Sequence, residues 1–144
     1  MSAIDALRSG WGWTLIEFAE IHAVSQMGHL LFSDTDGCFH YLDPDLGRIE
    51  ALGNEQAART HFAKEETREV WQAIALVEAA RERLGDCPEG SVYTLKPLAL
   101  LEGDYSPDNL WICQLDELIR FTGDMARQLK DLPDGAQYRI VIDE

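Results

Sequence analysis

Three residues at short spacing have the side chains to hold a metal. Cys38 and His40 stand two apart in Cys38-Phe39-His40, so on a strand they face one side. His29, on the preceding apolar run, would supply a third zinc ligand. A structural zinc site closes with four ligands, commonly in paired short spacings, and no second pair follows. The better role for Cys38 is that of a small core residue. Asp34-Thr35-Asp36-Gly37 opens like a calcium loop. It then continues Cys38-Phe39-His40, where a calcium loop needs further oxygen ligands at fixed offsets. Asp and Gly at these places make a turn instead. No metal and no cofactor is expected.

Catalysis finds no better footing. A nucleophilic Ser, Cys or Thr needs a base beside it and donors for an oxyanion. The chain contains no GxSxG, HExxH, GxxxxGKS or GxGxxG pattern. Carboxylates are so numerous that no pair of them signals acid–base work, because most such charges are solvated surface. No catalytic residue is assigned, and a non-enzymatic protein is expected. Trp11 and Trp13, in Gly10-Trp11-Gly12-Trp13, are candidate aromatic anchors for a partner. The competing and preferred role is a clasp that closes a small core.

The elements that would carry these residues read as α+β. Leu15 to His22 is apolar on both faces, which suits a strand or a short helix. Leu30-Leu31-Phe32-Ser33 and Cys38-Phe39-His40-Tyr41-Leu42 predict a hairpin closed by Asp34 to Gly37. Asp43-Pro44-Asp45-Leu46-Gly47 predicts a second turn, and Arg48 to Leu52 another strand. Together these make an N-terminal antiparallel β-meander.

Asn54 is a candidate N-cap for a helix over Glu55-Gln56-Ala57. After a break near Lys64, a longer helix is expected from about Glu66 to Leu84. Its apolar stripe is Val70, Ile74, Val77 and Leu84 with Trp71, and Gly85 and Pro88 end it. Val92 to Leu95 predicts a strand, and Leu101 to Asn109 an irregular loop. A third helix is expected from about Asp116 to Leu132, with Leu118, Phe121, Met125 and Leu129 on one side. Gly123 inside that helix costs about 1 kcal/mol relative to Ala, which points to a close backbone contact. Tyr138 to Ile142 would be a C-terminal strand returning to the sheet. The whole, residues 1–144, is expected to be one domain of two or three packed helices on a sheet.

Charge limits the partners. Lys and Arg number 12 against 26 Asp and Glu, a formal net charge of −14. Phosphate contacts need clustered Lys and Arg, so nucleic acid is disfavoured, as is an anionic membrane surface. A basic protein partner fits the charge, although solubility alone would also account for it. The three cysteines Cys38, Cys87 and Cys113 are odd in number and widely spaced, which suits a reducing compartment. Without a basic start and apolar run at the N-terminus, the expected location is the cytoplasm. Neither the oligomeric state nor the contacting face is legible.

A family resemblance rests on the later part of the chain. Tyr93-Thr94-Leu95-Lys96-Pro97, Leu101-Glu102-Gly103-Asp104-Tyr105, Asp108-Asn109-Leu110, Glu117 to Asp124 and Leu132-Pro133-Asp134-Gly135 carry it. These resemble a bacterial domain family of formerly unknown function. It forms the C-terminal part of immunity proteins against type VI secretion DNase toxins. Gly28-His29-Leu30-Leu31-Phe32 and Tyr41-Leu42-Asp43-Pro44 are compatible with the same family. Leu101-Glu102-Gly103 departs from the expected Leu-Gly-Gly and adds a charge to that loop.

The resemblance implies a protein that binds a basic toxin, with carboxylates taking the place of phosphate in the toxin's cleft. It implies no catalytic residues. Candidate partner contacts are Glu102, Asp104, Tyr105, Asn109, Trp11 and Trp13. The alternative function is a small-molecule or nucleotide-binding regulatory module using the Leu101–Asn109 loop. For that loop, a purely architectural role is preferred over ligand binding.

Overall fold

The computed structural model describes residues 2–95 and 106–130. It opens on a helix that the sequence reading did not include, α1 (Ala3–Trp11). Ser2 caps it, its Oγ accepting the Asp5 amide at 3.2 Å and donating to the Asp5 carboxylate at 2.7 Å. A Ser three residues before an acid is the signature of a capped start. A 3₁₀ turn, Gly12–Thr14, follows.

The meander is as expected: β1 (Phe18–Val24), β2 (Leu30–Asp34), β3 (Phe39–Asp43) and β4 (Arg48–Gly53), antiparallel in sequence order. The Leu15–His22 run thus resolves as loop followed by strand. In the β2–β3 hairpin, the Asp34 carboxylate accepts the amides of Asp36 at 2.9 Å and Cys38 at 3.0 Å. Gly37 sits at φ +82°, the conformation this turn demands.

Register sorts the side chains by face. Phe32 opposes His40 and Leu30 opposes Leu42, while Leu31 opposes Tyr41 and Ser33 opposes Phe39. Because side chains alternate along a strand, these two sets point to opposite sides. Leu30, Phe32 and Leu42 join Ala6, Leu7, Trp11 and Ile119 in the main core, between the sheet and α1. Tyr41, on the other face, meets the rings of Phe62 and Trp71.

Those rings come from α2 (Glu55–Ala63) and α3 (Glu65–Gln72). Asn54 caps α2 as expected, accepting the Ala57 amide at 2.9 Å. The long helix predicted from Glu66 to Leu84 is corrected. It breaks at Ala73, with φ 43° and ψ 48°, and resumes as α4 (Ile74–Leu84). An Ala in the left-handed region gives no sequence signal, since Gly and Asn are its usual occupants. The break also divides the predicted stripe: Val77 is buried, while Val70 and Ile74 face outward.

A second, two-stranded sheet pairs β5 (Ser91–Leu95) with β6 (Leu110–Gln114). β6 lies between the expected loop and the expected helix, in a segment given neither. Tyr93 and Leu95 pack with Val77, Ala80 and Met27 in a core of their own. α5 (Leu115–Leu129) closes the described part and buries Leu118, Ile119, Thr122 and Met125. The expected strand from Tyr138 to Ile142 lies outside the described residues. An N-terminal antiparallel sheet, helices, and a strand pair with its helix make an α+β fold. Among the described residues, no helix is long and apolar enough to cross a membrane.

Candidate partner-docking face

The helix break at Ala73 shapes the most distinctive surface. Turning the chain there leaves Val70 and Ile74 at 54% and 60% exposure. Val24, at the end of β1, and Leu46, in the β3–β4 turn, are exposed at 42% and 44%. These four line three adjoining depressions. The first, of about 430 Å³, is bordered by Val70, Ala73 and Ile74 together with His29, Asp43 and Asp45. The second shares Ile74 with it and adds Val24 and Trp71. The third shares Asp43 and Val70 with the first and adds Leu46.

The surround is acidic. Asp43, Asp45, Glu50, Glu66, Glu69 and Glu78 line these depressions, against the guanidiniums of Arg48 and Arg81. Arg81 is moreover engaged by Asp86 at 3.1 Å and by Gln26 at 3.1 Å. Apolar positions within a polar rim are the usual anatomy of a protein–protein contact.

A stack of aromatic rings holds this face in place. Tyr41 stacks on Phe62 at 5.8 Å and meets Trp71 edge-on at 5.7 Å, fixing α2 and α3 against the sheet. Burial, reinforced by Asp43, Asp45 and Glu50, keeps the Tyr41 hydroxyl far above its ordinary pKa and therefore protonated. That hydroxyl lies 2.7 Å from His29 Nδ1.

The metal-ligand set considered from sequence does not assemble as drawn. Phe32, the partner of His40, and Leu31, the partner of Tyr41, alternate in β2, so His29 and His40 take opposite faces. His40 stacks on Phe32 and sits 2.8 Å from Asp34 Oδ2, with Cys38 nearby. His29 instead faces Asp43 and Asp45. The carboxylates were the unread signal, since both stand in a stretch read only as a turn.

Among the expected partner contacts, Glu102, Asp104 and Tyr105 lie outside the described residues. Asn109 is half-buried at the end of a 3₁₀ turn (Pro107–Asn109), and its amide donates to the Ser106 carbonyl at 2.9 Å. Trp11 is 2% exposed and donates Nε1–H to the Ile119 carbonyl at 3.1 Å. Trp13 is half-buried, donates to the Gly123 carbonyl at 3.1 Å and stacks on Trp11 at 5.8 Å. Both tryptophans therefore clasp α5, the role preferred from sequence. Lys130 Nζ lies 5.2 Å from the Trp13 ring centre, on the outer end of the clasp.

No curated protein matches this chain. The segment 57–126, from α2 into α5, does match a family model, so the resemblance read from Tyr93 to Asp124 is borne out; the segments near residues 28–44 and 132–135 fall outside the match. Over this stretch, just under half of the chain and including the Val70–Ile74 face, the protein is similar to the family described as T6SS immunity protein Tdi1, C-terminal.

Proposed function

We propose that this chain is an immunity protein of a type VI secretion system, which neutralises a toxin by binding it. The family match over residues 57–126 carries this reading. Neutralisation proceeds by occlusion, without catalysis, and the protein acts in the cytoplasm as a single α+β domain. Exposed Val24, Leu46, Val70 and Ile74 supply apolar anchors for the toxin surface. The surrounding carboxylates select a basic partner and speed its approach, as a nuclease cleft shaped for phosphate would require.

Co-expression with type VI nuclease toxins, drawn from the systems that encode this family, tests the reading. Protection of cells and recovery of a stable complex are the expected results. Cells that die from the toxin at undiminished rate, with no complex recovered, would overturn it.

A further inference from the structure

His29 is only 3% exposed, and its two ring nitrogens face different chemistry. Nδ1 lies 2.7 Å from the Tyr41 hydroxyl. Nε2 lies 3.5 Å from Asp45 Oδ2 and 3.9 Å from Asp43 Oδ1, both beyond ordinary hydrogen-bond length. When Nδ1–H donates to the tyrosine oxygen, Nε2 turns its lone pair toward two carboxylates. In that tautomer the arrangement is repulsive unless a positive charge lies between them; in the other, the tyrosine hydroxyl donates to Nδ1 and Nε2–H faces the carboxylates.

Asp45 gives an independent sign of the same need. It is 4% exposed, and its Oδ1 has no hydrogen-bond partner among the described residues. A buried carboxylate oxygen is costly to leave unsatisfied.

We propose that His29 Nε2 and one carboxylate oxygen each from Asp43 and Asp45 bind a divalent transition-metal ion, zinc(II) or manganese(II). The three ligand atoms lie within 4.8 Å of one another. Tetrahedral ligands at about 2.0–2.1 Å from zinc stand roughly 3.3–3.5 Å apart, so the His29–Asp45 spacing fits, and the His29–Asp43 spacing of 3.9 Å would close by a few tenths of an ångström on binding. One imidazole and two carboxylates suit zinc or manganese better than a soft copper(I) ion. Tyr41 is the positioning residue that fixes the ring and its tautomer. The 430 Å³ depression bordered by these ligands and by Glu69 provides the remaining coordination positions. The site stands apart from the toxin-binding reading and holds or fails without it.

The test uses the full chain, treated with chelator and titrated with zinc chloride or manganese chloride by calorimetry. X-ray absorption at the zinc edge then reports the ligands. One equivalent bound through nitrogen and oxygen only is the expected result. Asp45→Asn should weaken affinity by about 100-fold or more, and Tyr41→Phe by about 10- to 100-fold. Cys38→Ser should leave it unchanged. Absence of binding to either ion overturns the proposal. So does sulfur in the zinc shell at about 2.3 Å, which would move the ion to the Asp34, Cys38 and His40 group. If Asp45→Asn fails to fold, the spectrum of the unaltered chain and the Cys38→Ser titration still decide the matter.

Discussion

Gly10 of α1 and Gly123 of α5 meet backbone to backbone, and neither position has room for a Cβ. One added at Gly123 would collide with the Gly10 carbonyl, and one at Gly10 would lie 2.8 Å from Arg120 Cα. Such contacts cannot be relieved by turning a side chain, so the two helices would have to move apart.

The first prediction follows by comparing two opposing effects. Helix propensity alone would favour Ala over Gly by about 1 kcal/mol. Overpacking a fixed core costs about 1–3 kcal/mol, and here the obstruction is backbone. Gly123→Ala should therefore destabilise by a net of up to about 2 kcal/mol, measured as a lower urea midpoint at unchanged slope. A midpoint that stayed the same or rose would show that α1 can yield.

Ala73 should respond in the opposite sense. An L-residue in the left-handed region costs about 1–2 kcal/mol, which Gly avoids. Gly also adds about 0.4–1 kcal/mol of unfolded-state freedom. Ala73→Gly should thus raise stability by up to about 1 kcal/mol in a thermal or urea melt. Ala73→Val, which adds a β-branch at the same backbone angles, should lower it.

Asp34 makes a testable contribution to acid stability. The His40 hydrogen bond lowers its pKa most; burial opposes that, and the Cys38 and Asp36 amides lower it further. Its folded pKa lies below its ordinary value, so the stabilisation is fully present above that ordinary value, near pH 4. It is lost as pH falls through the depressed folded value. Urea titrations at pH 7 should find Asp34→Asn less stable than the unaltered chain, with the gap narrowing below about pH 4. A gap that persisted unchanged at pH 2 would place the effect in the turn geometry and not in the charge.

Val70→Glu and Ile74→Glu separate folding from docking. Both side chains are exposed, so melting should change by no more than about 0.5 kcal/mol. If the face anchors a partner, each should weaken the complex by about 2 kcal/mol or more. Calorimetry with the partner recovered by co-expression, alongside the melts, would reveal that split. Undiminished affinity in both variants would move the docking face elsewhere.

Much of this architecture was legible where local chemistry dictates backbone shape. Asp34 and Gly37 announced their hairpin, Asn54 its cap, and Gly123 a close contact, because each is a residue that such positions demand. α1 was not legible although Ser2 and Asp5 carry a capping pattern, because nine residues that include Ser9 and Gly10 are a weak helical signal. β6 was missed because Leu110-Trp111-Ile112-Cys113 is short and adjoins a loop rich in turn formers. Ala73 offered no clue at all.

The candidate sites were less legible for a different reason. His29 and Asp43 come together through strand pairing across the hairpin, and Asp45 through the turn beyond it. Val24 and Ile74 approach through packing of distant elements. Neither relation is expressed as spacing along the chain.

The clasp made by Trp11 and Trp13 ties the matched stretch to the chain before it. Both indoles grip carbonyls of α5, inside the matched stretch 57–126, yet both belong to the chain before it. A fragment cut at residue 57 would bare Ile119 and Ala126 to water and release both carbonyls from their donors. The stretch that resembles the family and the smallest unit able to fold need not share a boundary. Here the first leans on two indoles that lie outside it.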